Sequence, residues 1–367
     1  MRILLLSYDV SRRGGIERLT LQVREALTRQ GLSVTLLCPR PRGPGVLGRW
    51  LGRLAFLLAL GLWLPRSHAV LSMHALLLPP LRWLEPLRWL AGPWGRQASP
   101  RRLCWLHGLE VWGDALPQAR EDLCRCDGLI ASSRFTRDRV RERPGRWPPI
   151  RVVHPMANLL GEEAPLTPPP WPPVLLSVSR LASNERYKGH RLVLAALALL
   201  RSRSQLPADL RWHVVGEGDD RPALERECAA LGLQPWVRFL GGLSDGELVE
   251  QLRGCSLLLL PSAYDARPGC RAEGEGFGIV YLEAAWAGRP SIGCREGGQS
   301  DLILDGETGW LIEPDPAALA ELLTAVLTRP RALASMGARA RQRAEAHFGQ
   351  ERFASELRQA ILPSGQR

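Results

Sequence analysis

The residues best suited to chemistry gather in one stretch, Glu275-Gly-Phe-Gly-Ile-Val-Tyr-Leu-Glu283, followed closely by Arg289-Pro290-Ser291-Ile292 and Gly297-Gly298. Gly274, Gly276 and Gly278 let the backbone come close to a ligand, and the residues from there to Ala287 favour a helix. A helix start has unpaired N–H groups and a partial positive charge, so Phe277, Gly278, Ile279 and Val280 offer a seat for an anion. Glu275 falls at the mouth and Glu283 two turns further in, a separation of roughly 12 Å along a continuous helix axis. Carboxylates that far apart share neither a proton nor a metal ion. They suit two hydroxyl-bearing ends of one ligand with an anion between them, which is the layout of a nucleotide sugar: ribose, diphosphate, sugar.

A second cluster is cationic. Val174 to Val178 reads as a strand, followed by Ser179-Arg180-Leu181 and then by Asn184-Glu-Arg-Tyr-Lys188-Gly-His190 ahead of a helix. Arg180 at a strand end and Lys188 just before a helix converge on one crevice, where two fixed cations neutralise a diphosphate without a metal. The chain carries 48 Lys plus Arg, and Lys188 is its sole lysine, so a compact point charge is expected to matter there. No metal site is expected: Asp9 and Asp219-Asp220 read as isolated acids at the surface or at caps. The eight cysteines form no ligand quartet.

The run EGFGIVYLEAAWAGRPSI, then EGGQSDLILDGETGWLI, resembles the donor-binding core of retaining glycosyltransferases of family 4, group 1 type. Spacing, glycines and the downstream Asp-Gly-Glu-Thr-Gly turn all agree. The resemblance implies an α/β chain of the GT-B fold, two doubly wound Rossmann-like domains facing a central cleft. It also implies retaining transfer of a hexose from a GDP-, UDP- or ADP-linked donor to a lipid-linked or envelope-glycan acceptor, with no cofactor. Glu275-Gly-x-Gly-Ile-Val-Tyr-Leu-Glu283 is similar to the mannosyltransferases that build phosphatidylinositol mannosides, which makes GDP-mannose one such donor.

Residue roles follow from the same resemblance. His107, in His107-Gly-Leu-Glu-Val-Trp112, is placed near the transferred sugar, and Gly14-Gly15 in a loop that closes on donor phosphates or acceptor. The family's arginine and lysine fall on Arg180 and Lys188, with a longer insert between them than in many members. Leu243 lies in the loop that borders the base. Glu283 holds the ribose, while Glu275 and the N–H groups around Gly297-Gly298 position the sugar. The leaving phosphate itself takes the acceptor proton. His107, Arg180, Lys188 and Glu275 are thereby the expected catalytic set.

The elements that must position these residues alternate strand and helix from the start. Ile3–Ser7 is a continuous apolar run, then a glycine loop, a helix from about Ile16 to Arg29 and a strand at Ser33–Cys38, the opening of a doubly wound domain. Val46–Leu64 reads as a helix, and strands follow at Ala69–Met73, Leu103–Leu106, Gly128–Ser132 and Ile150–His154. Glu162 to Pro173 is too rich in proline for a helix or central strand and reads as a linker. The expected domains are 1–161, the linker 162–173, a donor domain 174–347 and a terminal helical segment 348–367 that returns to the first domain. Helices are expected over Pro316 to about His347 and over Gln350–Leu362.

The net charge of +11 attracts phosphate in some form. Without zinc-finger spacing, an RNP-type aromatic pattern or a basic helical run, nucleic acid is not expected as a partner. The N-terminus is too short and abruptly polar for a signal peptide, and the scattered cysteines suit a reducing cytosol. Leu54 to Leu64 is an eleven-residue apolar run closed by Pro65, too short to span ~30 Å of hydrocarbon. With the Arg82-Trp83 and Arg88-Trp89 pairs it suggests a cytoplasmic protein held peripherally on the inner face of an anionic membrane. Three rival classes compete. A nucleotide-sugar 2-epimerase shares the fold but not the two glutamates with Arg180 and Lys188. An NAD oxidoreductase is disfavoured because Arg221 interrupts the glycine pattern after Gly216 and Gly218. A non-catalytic nucleotide-sugar-binding or membrane-associated protein of the same fold is the alternative function.

Overall fold

A computed structural model describes residues 1–8, 10, 14–40, 43, 45–84, 99–157, 159–160, 165–270 and 272–362. The chain divides into two compact units, one built from Met1–Met156, Arg267–Ala272 and the chain from Gln350, the other from Ala157–Ala266 and Glu273–Gly349. Each unit is built on a six-stranded sheet in which every neighbour runs parallel.

The first sheet contains β1 (Arg2–Leu6), β2 (Ser33–Leu37), β3 (Ala69–Ser72), β4 (Arg101–Leu106), β5 (Gly128–Ala131) and β6 (Ile150–Val152), in the order β2-β1-β3-β4-β5-β6. Around it lie α1 (Gly15–Arg29), α2 (Gly45–Trp63), α3 (Pro79–Leu84), α4 (Leu116–Cys124) and α5 (Arg134–Arg141). Leu4, Leu5 and Leu6 are all fully buried. Successive strand residues point to opposite faces, so this run has protein on both sides, and that is why it carries no polar alternation.

The second sheet contains β7 (Val174–Val178), β8 (Arg211–Val215), β9 (Val237–Gly241), β10 (Leu257–Leu259), β11 (Ser291–Cys294) and β12 (Gly309–Ile312), ordered β12-β11-β10-β7-β8-β9. Its helices are α6 (His190–Ser202), α7 (Arg221–Ala230), α8 (Asp245–Gly254), α9 (Ile279–Trp286), α10 (Pro316–Val326) and α11 (Pro330–Phe348). In both sheets the order reverses beside the unit's first strand, between β1 and β3 and between β7 and β10. Loops leave such a switch point in opposite directions, and a crevice opens at the strands' carboxyl ends.

Three helices depart from the sequence reading. The helix expected over Pro316 to His347 is two, because Pro330 has no N–H to continue the first and opens the second at its first turn. The apolar run at Leu54–Leu64 belongs to a longer element: α2 and the turn after it form 22 residues, Gly45–Arg66, apolar and long enough to cross a membrane by length and composition. It is nevertheless the crossover between β2 and β3, both partners of β1, and its Gly48, Gly52, Phe56 and Leu60 face is buried. The third, α9, begins at Ile279, later than the reading placed it.

The proline-rich segment has no helix or strand over its described residues 165–173. It lies with the second unit, where the buried Arg289 donates to the Thr167 carbonyl at 2.8 Å and to Thr167 Oγ1 at 2.9 Å. The terminal helix α12 (Gln350–Ile361) packs into the first unit's core. Phe353, Leu357 and Ile361 are buried there with Leu5, Val23 and Trp105. Gln30 Nε2 and Arg101 Nη1 tie its carbonyls at Ala354 and Ile361, each at 2.7 Å. Phe353→Ala should therefore cost the first unit about 3–5 kcal/mol. Hydrogen exchange at the amides of β1 and β4 will check it, with protection falling there and staying unchanged in β7 and β8.

Candidate functional site

In the second unit an ion pair joins the two loops that part at the switch point. After β7 the chain runs through Arg180 to Lys188; after β10 it runs through Pro261 to Glu275. Lys188 Nζ and Glu275 Oε2 meet at 2.5 Å, with the two side chains only 13% and 14% exposed. The backbones meet as well, Ala263 N–H donating to the Tyr187 carbonyl at 2.8 Å. Gly189, at φ +83°, lies so close to Pro261 that a Cβ would stand 2.3 Å from its carbonyl oxygen. Burial works against the Lys188 charge, but the Glu275 carboxylate, with Tyr187 and Glu185 beside it, holds the ammonium's pKa above that of a free lysine. The Tyr187 ring lies 5.2 Å from Nζ, and burial pushes its phenol up to about 12. Arg180 is 74% exposed and paired with the buried Glu185.

Asp219 is exposed and Asp220 stands at the N-cap position of α7, as expected of surface or capping acids, but neither is isolated. Asp220 is buried and accepts from Arg191 Nη1 at 2.5 Å and Nη2 at 3.1 Å, and from Arg186 Nη2 at 3.0 Å. Hydrogen bonds from Arg191 hold its carboxyl below the usual range. Asp219 accepts from Ser183 N–H at 2.8 Å and Ser183 Oγ at 2.6 Å. Together they pin the segment carrying Lys188 to the start of α7. Their partners lie 29 to 36 residues upstream, so no local pattern marks them. Glu185 and Tyr187, which contact Arg180 and Lys188 within five residues, were not singled out by the sequence reading.

The start of α9 also differs from expectation. The helix opens after Gly278, at φ +86°, so Glu275 lies in the preceding loop and the straight-axis spacing to Glu283 does not apply. Tyr281 N–H turns back to the Gly278 carbonyl at 3.0 Å, and Tyr281 Oη donates to the Leu260 carbonyl, fixing α9 on the end of β10. The first-turn N–H groups of Ile279 and Val280 lie at that opening. Phe277 is buried against Phe348, ring centres 6.2 Å apart. Glu283 is only 4% exposed. Gly298 N–H donates to the Glu275 carbonyl at 2.6 Å, and a Cβ on Gly298 would fall 2.1 Å from the Gly276 oxygen. Only glycine lets these two loops touch. Leu243, between β9 and α8, packs partly buried against the core under α9.

His107 sits at the end of β4 in the first unit. Its Nε2 is 2.7 Å from the Met73 carbonyl, which can only accept, so Nε2 carries the hydrogen. Nδ1 faces Ser132 Oγ at 3.5 Å, and that hydroxyl accepts from Trp105 Nε1 at 2.8 Å. Burial lowers the His107 pKa to about 4, against the Met73 hydrogen bond and the nearby Glu17 charge. The imidazole is neutral at pH 7. Glu110 accepts from the N–H groups of His107 at 2.5 Å and Gly108 at 3.1 Å, so this turn is closed by its own carboxylate. Gly14 caps α1 and Gly15 begins it, with Glu17 one turn on. The structure thus gathers Arg180, Lys188, Glu275, Gly278, Ile279 and Val280 at one sheet edge, and Gly14, Gly15 and His107 at the corresponding edge of the other unit. Among the described residues no group of three His, Cys, Asp or Glu could hold a metal ion, and Asp9 lies outside them.

Acid should loosen the fold. Burial, with the charges of Lys188 and Arg191 beside it, also lowers the His190 pKa to about 4 from 6.5. Between these values the unfolded chain binds more protons than the folded one. Stability present above pH 6.5 is therefore lost as pH falls toward 4, by up to about 3 kcal/mol for this group. Thermal unfolding across that window should show a smaller acid-induced drop in midpoint for His190→Gln than for the wild type.

Comparison with known proteins bears on the whole chain. The description of glycosyl transferases group 1 matches residues 162–343, and that of glycosyltransferase family 4 matches residues 13–159. A GDP-mannose-dependent alpha-(1-6)-phosphatidylinositol monomannoside mannosyltransferase of Mycolicibacterium smegmatis is 31% identical over 277 residues, 68% of this chain and 66% of that protein. The alpha-1,3/1,6-mannosyltransferase ALG2 of Mus musculus is 30% identical over 51% of this chain and 45% of its own length. The chain thus matches just under two thirds of the first relative and less than half of the second. Anabaena HepE, solved with UDP and glucose, superposes with a TM-score of 0.74 at 19% identity, over 98% of this chain and 99% of that one. Sucrose-phosphate synthase from Thermosynechococcus elongatus does so with a TM-score of 0.74 at 21% identity, over 98% and 97%. These two likenesses establish the architecture, and with the family matches they show that the chain belongs to glycosyltransferase family 4, group 1 type, and has the GT-B fold.

Proposed function

We propose that the protein is a retaining, metal-independent hexosyltransferase that takes a nucleotide-linked sugar as donor and a lipid-linked or envelope glycan as acceptor. The observation that carries this reading is the Lys188–Glu275 pair at the mouth of the β7/β10 switch point, beside the start of α9. An ammonium has three donors. One on Glu275 leaves others for a diphosphate, whose negative charge grows as the sugar departs. The N–H groups of Ile279 and Val280 and the exposed Arg180 add to the same compensation. Glu275 Oε1 remains for a sugar hydroxyl, and the resemblance assigns Glu283 to the ribose. The resemblance assigns His107, an imidazole held neutral by burial, to the transferred sugar. No second carboxylate is assigned as nucleophile; the leaving phosphate takes the acceptor proton on the face it leaves from. The mannosyltransferase relatives make GDP-mannose the first donor to test, with UDP- and ADP-sugars beside it.

Lys188→Ala should lower transfer by on the order of 100-fold or more. Its melting curve, compared with wild type, separates that loss from unfolding caused by an unpaired Glu275. A transfer rate within a few-fold of wild type would remove leaving-group stabilisation by this lysine from the scheme. Transfer should also continue in EDTA. Loss there, reversed by magnesium or manganese, would show that a metal supplies the compensation instead.

A further inference from the structure

The outward face of α2 has no counterpart in the chemistry above. Leu47, Trp50, Leu51, Leu54, Leu58 and Leu62 recur every three or four residues along it and all are exposed, Leu47 at 71% and Leu58 at 67%. Residues at that spacing share one helix face. The opposite face carries Gly48, Gly52, Phe56 and Leu60 and is the one buried on the first unit. A contiguous apolar surface of this size on a folded protein marks an interaction site.

Charge says what covers it. Between Glu25 and Glu85 the sequence contains no Asp or Glu and seven arginines, from Arg29 to Arg82. Two of them, Arg49 and Arg53, lie exposed on α2 itself, and Arg53 borders the apolar face beside Trp50. A twofold contact between copies through this helix would bring two such basic, acid-free surfaces together. A bilayer carrying anionic headgroups satisfies both features, since leucine and tryptophan enter the acyl boundary and arginine stays at phosphate depth. We propose that the outward face of α2 docks the protein on an anionic lipid surface, with the helix lying in the plane of the interface. Of the two features behind the expected membrane contact, this keeps the apolar run at Leu54–Leu64 and sets the arginine–tryptophan pairs aside. Arg82 is taken by Glu121 at 3.0 Å, and Arg88-Trp89 lie outside the described residues. The inference stands independently of the transferase reading.

Vesicle flotation of the full chain tests it, with phosphatidylcholine alone or mixed with phosphatidylglycerol. The wild type should float with the anionic vesicles, less with neutral ones, and less as salt rises. The double substitution Leu54→Gln/Leu58→Gln, at exposed positions, should lower partitioning by about tenfold with an unchanged melting midpoint. Arg49→Gln/Arg53→Gln should remove the preference for anionic lipid, and Arg82→Gln should leave it within about twofold. Wild-type protein that stays with the soluble fraction, or glutamine variants that float equally well, would overturn the proposal. A lipid-free dimer that Leu54→Gln/Leu58→Gln turns into monomers would also overturn it, by assigning the face to a second copy.

Discussion

A lysine ammonium and a carboxylate held where water barely reaches constrain the rest of the second unit. Removing two charges from water is costly, and their attraction offsets the cost only when geometry is fixed on both sides. The fixing is visible around Lys188 and Glu275. Asp219 and Asp220 clamp the lysine's segment from one side. On the other, the Gly298 N–H bond to the Glu275 carbonyl and the Tyr281 phenol on Leu260 hold the glutamate's loop against the sheet. Seen this way, the glycines at 189 and 298 serve the pair: each permits a backbone approach that a methyl group would block.

The first unit uses neutral groups where the second uses charged ones. Its switch point is lined by Tyr8 against His74, ring centres 5.2 Å apart, with His107 bonded to the neighbouring strand end at Met73. Burial lowers both histidine pKa values, so neither adds charge at neutral pH. Two sheets of the same winding thus present different chemistry at their carboxyl ends, one centred on neutral histidines with the Glu110 carboxylate bound to backbone N–H groups, the other on an array of ion pairs.

Much of the architecture was legible in the sequence because buried parallel strands leave a simple trace. Ile3–Leu6 and Leu257–Leu259 are apolar without alternation, and that requires cover on both faces. The Ser244 cap was legible too, since Ser244 and Glu247 form a local box at fixed spacing. What stayed hidden depends on distance along the chain or on one residue's veto. Asp220 could not be paired from sequence when its arginines lie on another element. The break before Pro330 needed proline's missing N–H to outweigh a helical pattern that continued through it. Glu275 was placed at a helix mouth although Gly278, in a left-handed conformation, delays the helix to Ile279. The exposed side of α2 was obscured because an all-round apolar run gives no phase from which to tell inside from outside.

The terminal helix carries a consequence for how the protein is made. Phe353, Leu357 and Ile361 complete a hydrophobic core whose other members begin at Ile3. A ribosome releases those residues only after the second unit, up to Gly349, has been translated. The first-made domain must therefore wait uncovered while the later one, self-contained from Ala157 to Gly349 apart from Arg267–Ala272, can close ahead of it. Birth order and completion order run opposite to each other. The interval between them, when β1 and α1 lack their lid, is when the nascent chain most needs a chaperone.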